Sequence, residues 1–190
     1  MGKVQVKFMK LRYPLPITLT GAMVEGKPNY LAIGYFAILS HVPPIVSVVL
    51  YKDHYTVAGI KQNGAFSVNI PSVDMVKVTD YCGVVSGKDV DKSRLFESFY
   101  GQLNTAPMIK ECPLNFECRL FQTIQAGDNF LFIGEVVSTY ANEEVLTEGV
   151  PDIGKVDPLV LFRADYHSWQ FGPRVARAYS VGQELKKKKD

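Results

Sequence analysis

The sequence contains a series of short stretches in which apolar and polar residues alternate, each followed by glycine, proline or asparagine. Residues 17–24 alternate and lead into a turn at residues 25–29, and residues 66–70 alternate before Pro71. A period of two is typical of β-strands. The β-branched run at residues 45–50 predicts a central buried strand.

The second half of the chain continues this pattern. Residues 116–120 alternate, and residues 130–138 follow a turn at Gly127, Asp128 and Asn129, which predicts a long antiparallel hairpin. Residues 159–162 and 166–171 predict closing or edge strands. Residues 143–158 join the hairpin to these closing strands, and we expect them to form a loop because glycine and proline recur there.

Only three short helices are predicted. They cover residues 55–63, ended by Gly64; residues 72–81, capped by Ser72 and ended by Gly83; and residues 91–100, begun by Asp91. A doubly wound parallel sheet would need a helix after nearly every strand. The pattern therefore predicts a mainly β fold, a single β-barrel domain over residues 1–190 with a few short peripheral helices.

Composition excludes several classes of protein. Twenty-one basic and nineteen acidic residues leave no broad cationic surface for nucleic acid, and residues 186–190 predict a disordered basic tail. No apolar stretch is long enough to span a membrane, and lysines interrupt the first eleven residues, unlike a secretory signal. Three cysteines are too few for a disulfide framework, so we expect buried thiols and a cytoplasmic protein.

The usual catalytic motifs are missing from the sequence. No glycine-rich phosphate loop, dinucleotide fingerprint, zinc-protease helix, paired-cysteine redox motif or nucleophile elbow is present. The three histidines, His41, His54 and His167, lack the spacing of metal ligands, so no metal site is predicted.

One segment favours an anion site. Residues 51–56 join the buried strand to the first predicted helix, whose N-terminus offers free N–H groups, with Lys52 adding a charge and Thr56 a hydroxyl. The alternative is that Asp53 or Thr56 only caps this helix. In residues 29–40, Gly34 and Ala37 would let a flat ring approach the backbone, or would serve packing in a core strand.

Seven segments in order carry a family resemblance: residues 13–17 (YPLPI), 27–30 (KPNY), 43–47 (PPIVS), 55–56 (YT), 66–71 (FSVNIP), 86–92 (SGKDVDK) and 132–136 (FIGEV). In these segments the chain resembles the flavin reductase-like FMN-binding split-barrel family, and within that family it resembles the branch of flavoredoxins and archaeal ferric reductases. The resemblance runs from about residue 13 to residue 140.

The resemblance implies a Greek-key split β-barrel that binds FMN and forms a homodimer. It implies that the flavin ring lies along residues 32–40 and that residues 52–56 close on the phosphate. The FMN-binding residues that it implies are Asn29, Gly34, Tyr35, Phe36, Ala37, Leu39, Ser40, Ser47, Leu50, Lys52, His54, Tyr55, Thr56, Asn69, Ser86 and Lys92.

This sequence departs from the family at residues 32–38, which read AIGYFAI where many members have TASSFNS. Three hydroxyls are missing, so phosphate binding has to rely on backbone N–H groups, Lys52 and Thr56. Packing in the core or a dimer interface is the alternative role for Tyr35 and Phe36. A solvated loop is the alternative for residues 86–92.

For function, the resemblance implies that electrons pass from NAD(P)H through bound FMN to a small acceptor, a flavin or a ferric chelate. No residue is predicted as a conventional acid or base, and Lys92 is the nearest candidate for stabilising negative charge on the ring. Two alternatives stay open: an electron carrier of the flavoredoxin type with protein partners, or a non-catalytic FMN-binding barrel.

Overall fold

The computed structural model describes residues 2–7, 13–162 and 164–188. Its strands and helices are β1 (Leu15–Pro16), β2 (Thr18–Val24), β3 (Lys27–Ile33), β4 (Phe36–His41), β5 (Pro44–Tyr51), α1 (Tyr55–Asn63), β6 (Ala65–Ile70), α2 (Val76–Val84), β7 (Ser98–Phe99), β8 (Met108–Ile109), β9 (Leu114–Ala126), β10 (Asn129–Ala141), β11 (Leu146–Thr147), β12 (Val150–Pro151), α3 (Ile153–Val156), β13 (Val160–Phe162) and β14 (His167–Trp169). Short 3₁₀ helices cover Val73–Met75, Glu143–Val145 and Val181–Lys188.

The main sheet has seven antiparallel strands in the order β3-β2-β6-β9-β10-β5-β4. Leu31 in β3 and Val48 in β5 come from opposite parts of this order, yet both lie in one core cluster with Phe66 and Phe132. The sheet therefore curls around a shared core. The predicted mainly β fold class with a few short helices is confirmed, as is the long hairpin, which pairs β9 with β10.

Alternation explains how β5 packs. Val46, Val48 and Leu50 lie at every second position and are at most 2% exposed, in the core. Each such side chain contributes about 1.5–3 kcal/mol of burial free energy. Val49 lies on the opposite face of this strand, where it is half-buried and lines a cavity. The same strand thus supports both the core and the candidate site.

The first predicted helix has the bounds expected, and Gly64 ends it in the left-handed conformation with φ of 63°. The second differs, because a 3₁₀ turn covers Val73–Met75 and α2 continues past Gly83 to Val84. The third, at residues 91–100, is wrong. The Asp91 carboxylate accepts the Ser93 N–H, a local bond that competes with helix formation.

Two loops are more ordered than expected. The predicted turn at residues 25–29 is confined to Glu25 and Gly26, both at positive φ, and the next residues already belong to β3. The predicted loop at residues 143–158 contains β11, β12 and α3, and the Asp152 carboxylate caps α3 by accepting the Gly154 N–H.

Of the predicted basic tail, residues 186–188 end the last 3₁₀ helix, and residues 189 and 190 lie outside the described residues. Within the part of the chain that the structure describes, no helix is long and apolar enough to cross a membrane. Cys82, Cys112 and Cys118 are free and buried, as expected, and burial raises the pKa of each thiol.

Candidate functional site

Two adjoining cavities lie beside β3 and α1. The large cavity has a volume of about 620 Å³ and the small cavity about 260 Å³. Their shared walls contain Leu31, Tyr51, His54, Gly83 and Val84. The two cavities therefore form one elongated site, in the size range of sites for small molecules and cofactors.

The large cavity is mostly apolar, with a few polar groups. The end of β3 and the connection to β4 form one wall, α2 forms another, and the region of β13 and β14 forms a third. Its lining residues are Ile17, Leu31, Ala32, Ile33, Gly34, Tyr35, Val49, Tyr51, His54, Val76, Thr79, Asp80, Gly83, Val84, Asn129, Leu159, Leu161, Tyr166 and Ser168.

Thr79 is a polar group without a partner in this wall. Its side chain is buried, and its Oγ1 has no hydrogen-bond partner. An unpaired buried hydroxyl is unfavourable, by about 1–3 kcal/mol.

The small cavity lies at the N-terminus of α1. Its lining residues are Asn29, Leu31, Tyr51, Asp53, His54, Tyr55, Thr56, Gly83, Val84, Val85, Ser86, Gly87 and Lys92. The Asn29 side-chain amide donates to Thr56 Oγ1 over 2.8 Å, which leaves the Thr56 hydroxyl proton free to donate. Free N–H groups at a helix N-terminus favour an anion here.

Lys92 brings a buried positive charge to the small cavity. It is 2% exposed, and its Nζ donates to the backbone carbonyl oxygens of Tyr30, at 3.0 Å, and Cys82, at 2.9 Å. Among the residues that the structure describes, no carboxylate forms an ion pair with this ammonium. Burial lowers the pKa of Lys92. A buried cation without a counter-ion is costly, so this site favours an anionic ligand.

His54 occupies the N-cap position of α1, and its side chain makes no capping hydrogen bond. Neither Asp53 nor Thr56 caps this helix, because the N-cap position falls between them, at His54. The alternative that one of them only caps the helix is therefore wrong, and the Thr56 hydroxyl instead accepts a hydrogen bond from Asn29. The Nδ1 atom of His54 is buried without a partner. Burial, and then the charge of Lys92, lower the pKa of His54.

The segment of residues 86–92 closes the small cavity through a tight contact. A Cβ added to Gly87 would lie 2.1 Å from Asn29 Oδ1 and 2.6 Å from the ring of Tyr55. An ion pair of 2.8 Å between Lys27 and Asp91 ties the end of the segment to β3. The middle of the segment, at Lys88 and Asp89, is exposed, but Lys92 is buried, so the segment is only partly a solvated loop.

The structure brings half of the predicted site residues to the two cavities: Asn29, Gly34, Tyr35, His54, Tyr55, Thr56, Ser86 and Lys92. The other predicted residues do not line them: Phe36, Ala37, Leu39, Ser40, Ser47, Leu50, Lys52 and Asn69. A role in FMN binding stays a prediction for both groups.

The second group has other surroundings in this structure. Lys52 pairs with Asp128 at 2.7 Å and is exposed. Leu50 lies in the core, and the half-buried Phe36 packs against the same core. Asn69 is buried in a polar network, where it donates to the Leu19 carbonyl and accepts the Ile109 N–H.

Of the remaining four, Ala37 and Leu39 are exposed on β4, and Ser40 is half-buried on the same strand. Ser47 is buried within β5.

Sequence reasoning missed the contribution of α2. Thr79 and Gly83 lie four residues apart, on one face of this helix, and both line the large cavity. The signal available in the sequence was the four-residue spacing between Thr79, which carries a hydroxyl, and the small residue Gly83. Tyr51 and Gly87 also line the small cavity; both lie in segments that the sequence analysis singled out, but neither is among the predicted FMN-binding residues.

Comparison with known proteins gives consistent results. Residues 9–170 match the family described as flavin reductase like domain. A flavoredoxin from Methanosarcina acetivorans, solved by X-ray crystallography, is 48% identical with a TM-score of 0.95, covering 97% of this chain and 100% of that one. The flavoredoxin of Desulfovibrio vulgaris (Miyazaki F) is 32% identical with a TM-score of 0.86, covering 96% and 99%.

A flavin reductase from Pseudomonas putida is 30% identical over 128 residues, which are 66% of this chain and 72% of that protein. The family match spans most of the chain and includes every residue that lines the two cavities. The chain belongs to the family of proteins with a flavin reductase-like domain.

Proposed function

We propose that the chain is an FMN-binding redox protein, organised as one domain, whose small cavity holds the phosphate and whose large cavity holds the ring. When bound, FMN supplies the redox chemistry, and the protein supplies its position and electrostatic surroundings. The flavoredoxins and the flavin reductase to which the chain is similar support a flavin ligand.

The observation that carries this proposal is the buried ammonium of Lys92. It lies at a cavity that also contains the N-terminus of α1 and the hydroxyl of Thr56. A phosphate would provide the missing counter-ion and accept charge-assisted hydrogen bonds from these donors. Lys52 is exposed and already paired with Asp128, so Lys92 takes the role first expected of Lys52.

The large cavity fits a flat ring. Gly34 and Tyr35 line one wall, and Thr79 and Gly83 of α2 line another. The side chains of Ile33 and Val49 add apolar surface. These residues would orient the ring and exclude water from it.

For the reaction, we propose that NAD(P)H reduces the bound cofactor and that electrons pass to a small acceptor, a flavin or a ferric chelate. The similarity to a flavin reductase supports this function. The similarity to two flavoredoxins supports the second candidate, an electron carrier with protein partners. Anaerobic titration with NADH and with NADPH separates them, because only a reductase loses its visible flavin absorbance rapidly.

FMN and riboflavin differ only in the phosphate, so their affinities test its placement. We expect Lys92→Met to weaken FMN binding by about 1.5–3 kcal/mol, roughly 10- to 100-fold, and to leave riboflavin binding unchanged. Lys110→Met is the matched control and should change neither affinity, because Lys110 is exposed, pairs with Glu97 at 2.7 Å and lines neither cavity. Equal losses for FMN and riboflavin in Lys92→Met would exclude a phosphate at this residue.

A further inference from the structure

We propose that His54 takes up a proton when a phosphate group binds in the small cavity, so that the site binds a phosphate dianion together with one proton. This inference rests on the proposed function, because it assigns the ligand's phosphate to the small cavity. It makes His54 a second cationic group of the site, present only in the bound state.

The backbone of His54 is held firmly at the start of α1. Its N–H donates to the carbonyl oxygen of Tyr51 at 3.0 Å, and its own carbonyl oxygen accepts the N–H of Val57 at 3.0 Å. The imidazole packs edge-on against the ring of Tyr51, with centroids 6.0 Å apart. The side chain is therefore fixed in the wall that the two cavities share.

The imidazole has an unused nitrogen in this wall. Nδ1 is buried and has no hydrogen-bond partner. A buried nitrogen without a partner is uncommon in folded proteins and needs an explanation. Protonation would place a positive charge on an imidazole that lines both cavities, and an anionic ligand in the small cavity would favour this charge without contacting Nδ1.

The surroundings lower the pKa of His54 and so favour its neutral form in the ligand-free protein. The N-terminus of α1 carries a partial positive charge, and Lys92 adds a full one. The other charged residues that line the two cavities are Asp53 and Asp80, both exposed. Tyr51 and Tyr55 are the neighbouring titratable groups of the same connection. Positive charge and partial burial together disfavour an imidazolium.

A phosphate dianion reverses this balance. Its two negative charges exceed the single charge of Lys92, so one negative charge would remain in a partly buried site. A proton on His54 neutralises that charge. Phosphate monoesters have a second pKa of about 6, so above about pH 7 this proton comes from solvent rather than from the ligand.

Calorimetry measures this proton directly. FMN binding is titrated at about pH 7.5 in two buffers with different ionisation enthalpies, neither of them phosphate. The buffer dependence of the binding enthalpy gives the number of protons taken up. We expect uptake approaching one proton in the wild type and only the part contributed by Lys92 in His54→Gln, which keeps a polar side chain that does not titrate. His41→Gln, an exposed histidine on β4, is the matched control and should retain the uptake.

The pH dependence of affinity is a second readout. Between about pH 7 and pH 9 we expect FMN affinity to fall with rising pH, by at most about tenfold per unit for one linked proton. Riboflavin affinity should stay flat, and His54→Gln should reduce the slope for FMN to the part contributed by Lys92, whose pKa burial lowers and a bound phosphate would raise. Normal FMN binding without proton uptake, or equal uptake in wild type and His54→Gln, would overturn the inference. Failure of the wild type to bind FMN would instead overturn the proposed function.

Discussion

The side-chain amide of Asn29 on β3 donates a 2.8 Å hydrogen bond to Oγ1 of Thr56 in the first turn of α1. Both residues are buried and separated by 27 positions in sequence. The bond holds the start of the helix against the strand that forms the wall of the small cavity. The geometry of the proposed phosphate site therefore depends on this pair.

Thr56→Val tests this pair because valine has nearly the same shape but no hydroxyl. The Asn29 amide would remain buried without its partner, which is expected to lower the free energy of unfolding by about 1–3 kcal/mol. Denaturant unfolding of the ligand-free protein measures this loss. Thr56→Ser keeps the hydroxyl and should recover most of the loss. Equal stability of the valine variant and the wild type would contradict the role of this bond.

Gly87→Ala should weaken FMN binding. The added Cβ would lie 2.1 Å from Asn29 Oδ1, so the Asn29 amide or the segment of residues 86–92 has to move. We expect a loss of about tenfold or more in FMN affinity, measured by fluorescence titration. Gly172→Ala is the control, because nothing lies within 4 Å of the position of its Cβ. An unchanged FMN affinity in Gly87→Ala would show that this contact does not shape the site.

Lys92 should make the stability of the ligand-free protein depend on pH. Burial lowers the pKa of this lysine in the folded state, so the unfolded chain binds more protons and stability rises with pH through this range. Lys92→Met removes the buried charge, together with the Nζ hydrogen bonds to the carbonyl oxygens of Tyr30 and Cys82. Between about pH 7 and pH 10 the wild type should therefore gain stability relative to Lys92→Met as the pH rises, as measured by unfolding. A wild type that loses stability relative to the variant over this range would contradict the assignment.

The sequence predicts the sheet and the first helix of this protein, but it does not predict the structure of residues 91–100. The period-two segments predicted the sheet, and the helix at Tyr55–Asn63 followed from local pattern and Gly64. The predicted helix at residues 91–100 failed because Asp91 binds the N–H of Ser93 and the side chain of Lys27. The bond to Lys27 joins residues 64 positions apart, which no local pattern reveals.

Contacts between residues far apart in sequence also determine the surroundings of the candidate-site residues, and local pattern does not reveal these contacts either. Lys52 is the phosphate ligand expected from its place before α1, and in this structure its ammonium pairs with Asp128, 76 residues away, across the pairing of β5 with β10. Lys92 reaches the cavity because it is bound to the carbonyl oxygen of Tyr30, 62 residues away. The residue types were readable from the sequence, whereas the long-range pairing that assigns their roles was not.

We also predict a homodimer in solution. Exposed apolar side chains occur on β4, at Ile38 and Leu39, and on β9, at Phe121 and Ile124. Large apolar residues on a surface favour association with another subunit. Sedimentation should give a dimer for the wild type, and Phe121→Lys should shift it toward monomer, since a charge is disfavoured in an interface core. A wild-type protein that stays monomeric at high concentration would contradict this prediction.

A crystal structure of the protein with FMN would show whether the phosphate binds at Lys92. We expect phosphate oxygens at about 3 Å from Lys92 Nζ, beside the N-terminus of α1, with the ring in the large cavity. A phosphate bound at Lys52, or an FMN molecule located outside these two cavities, would rule out the proposed site.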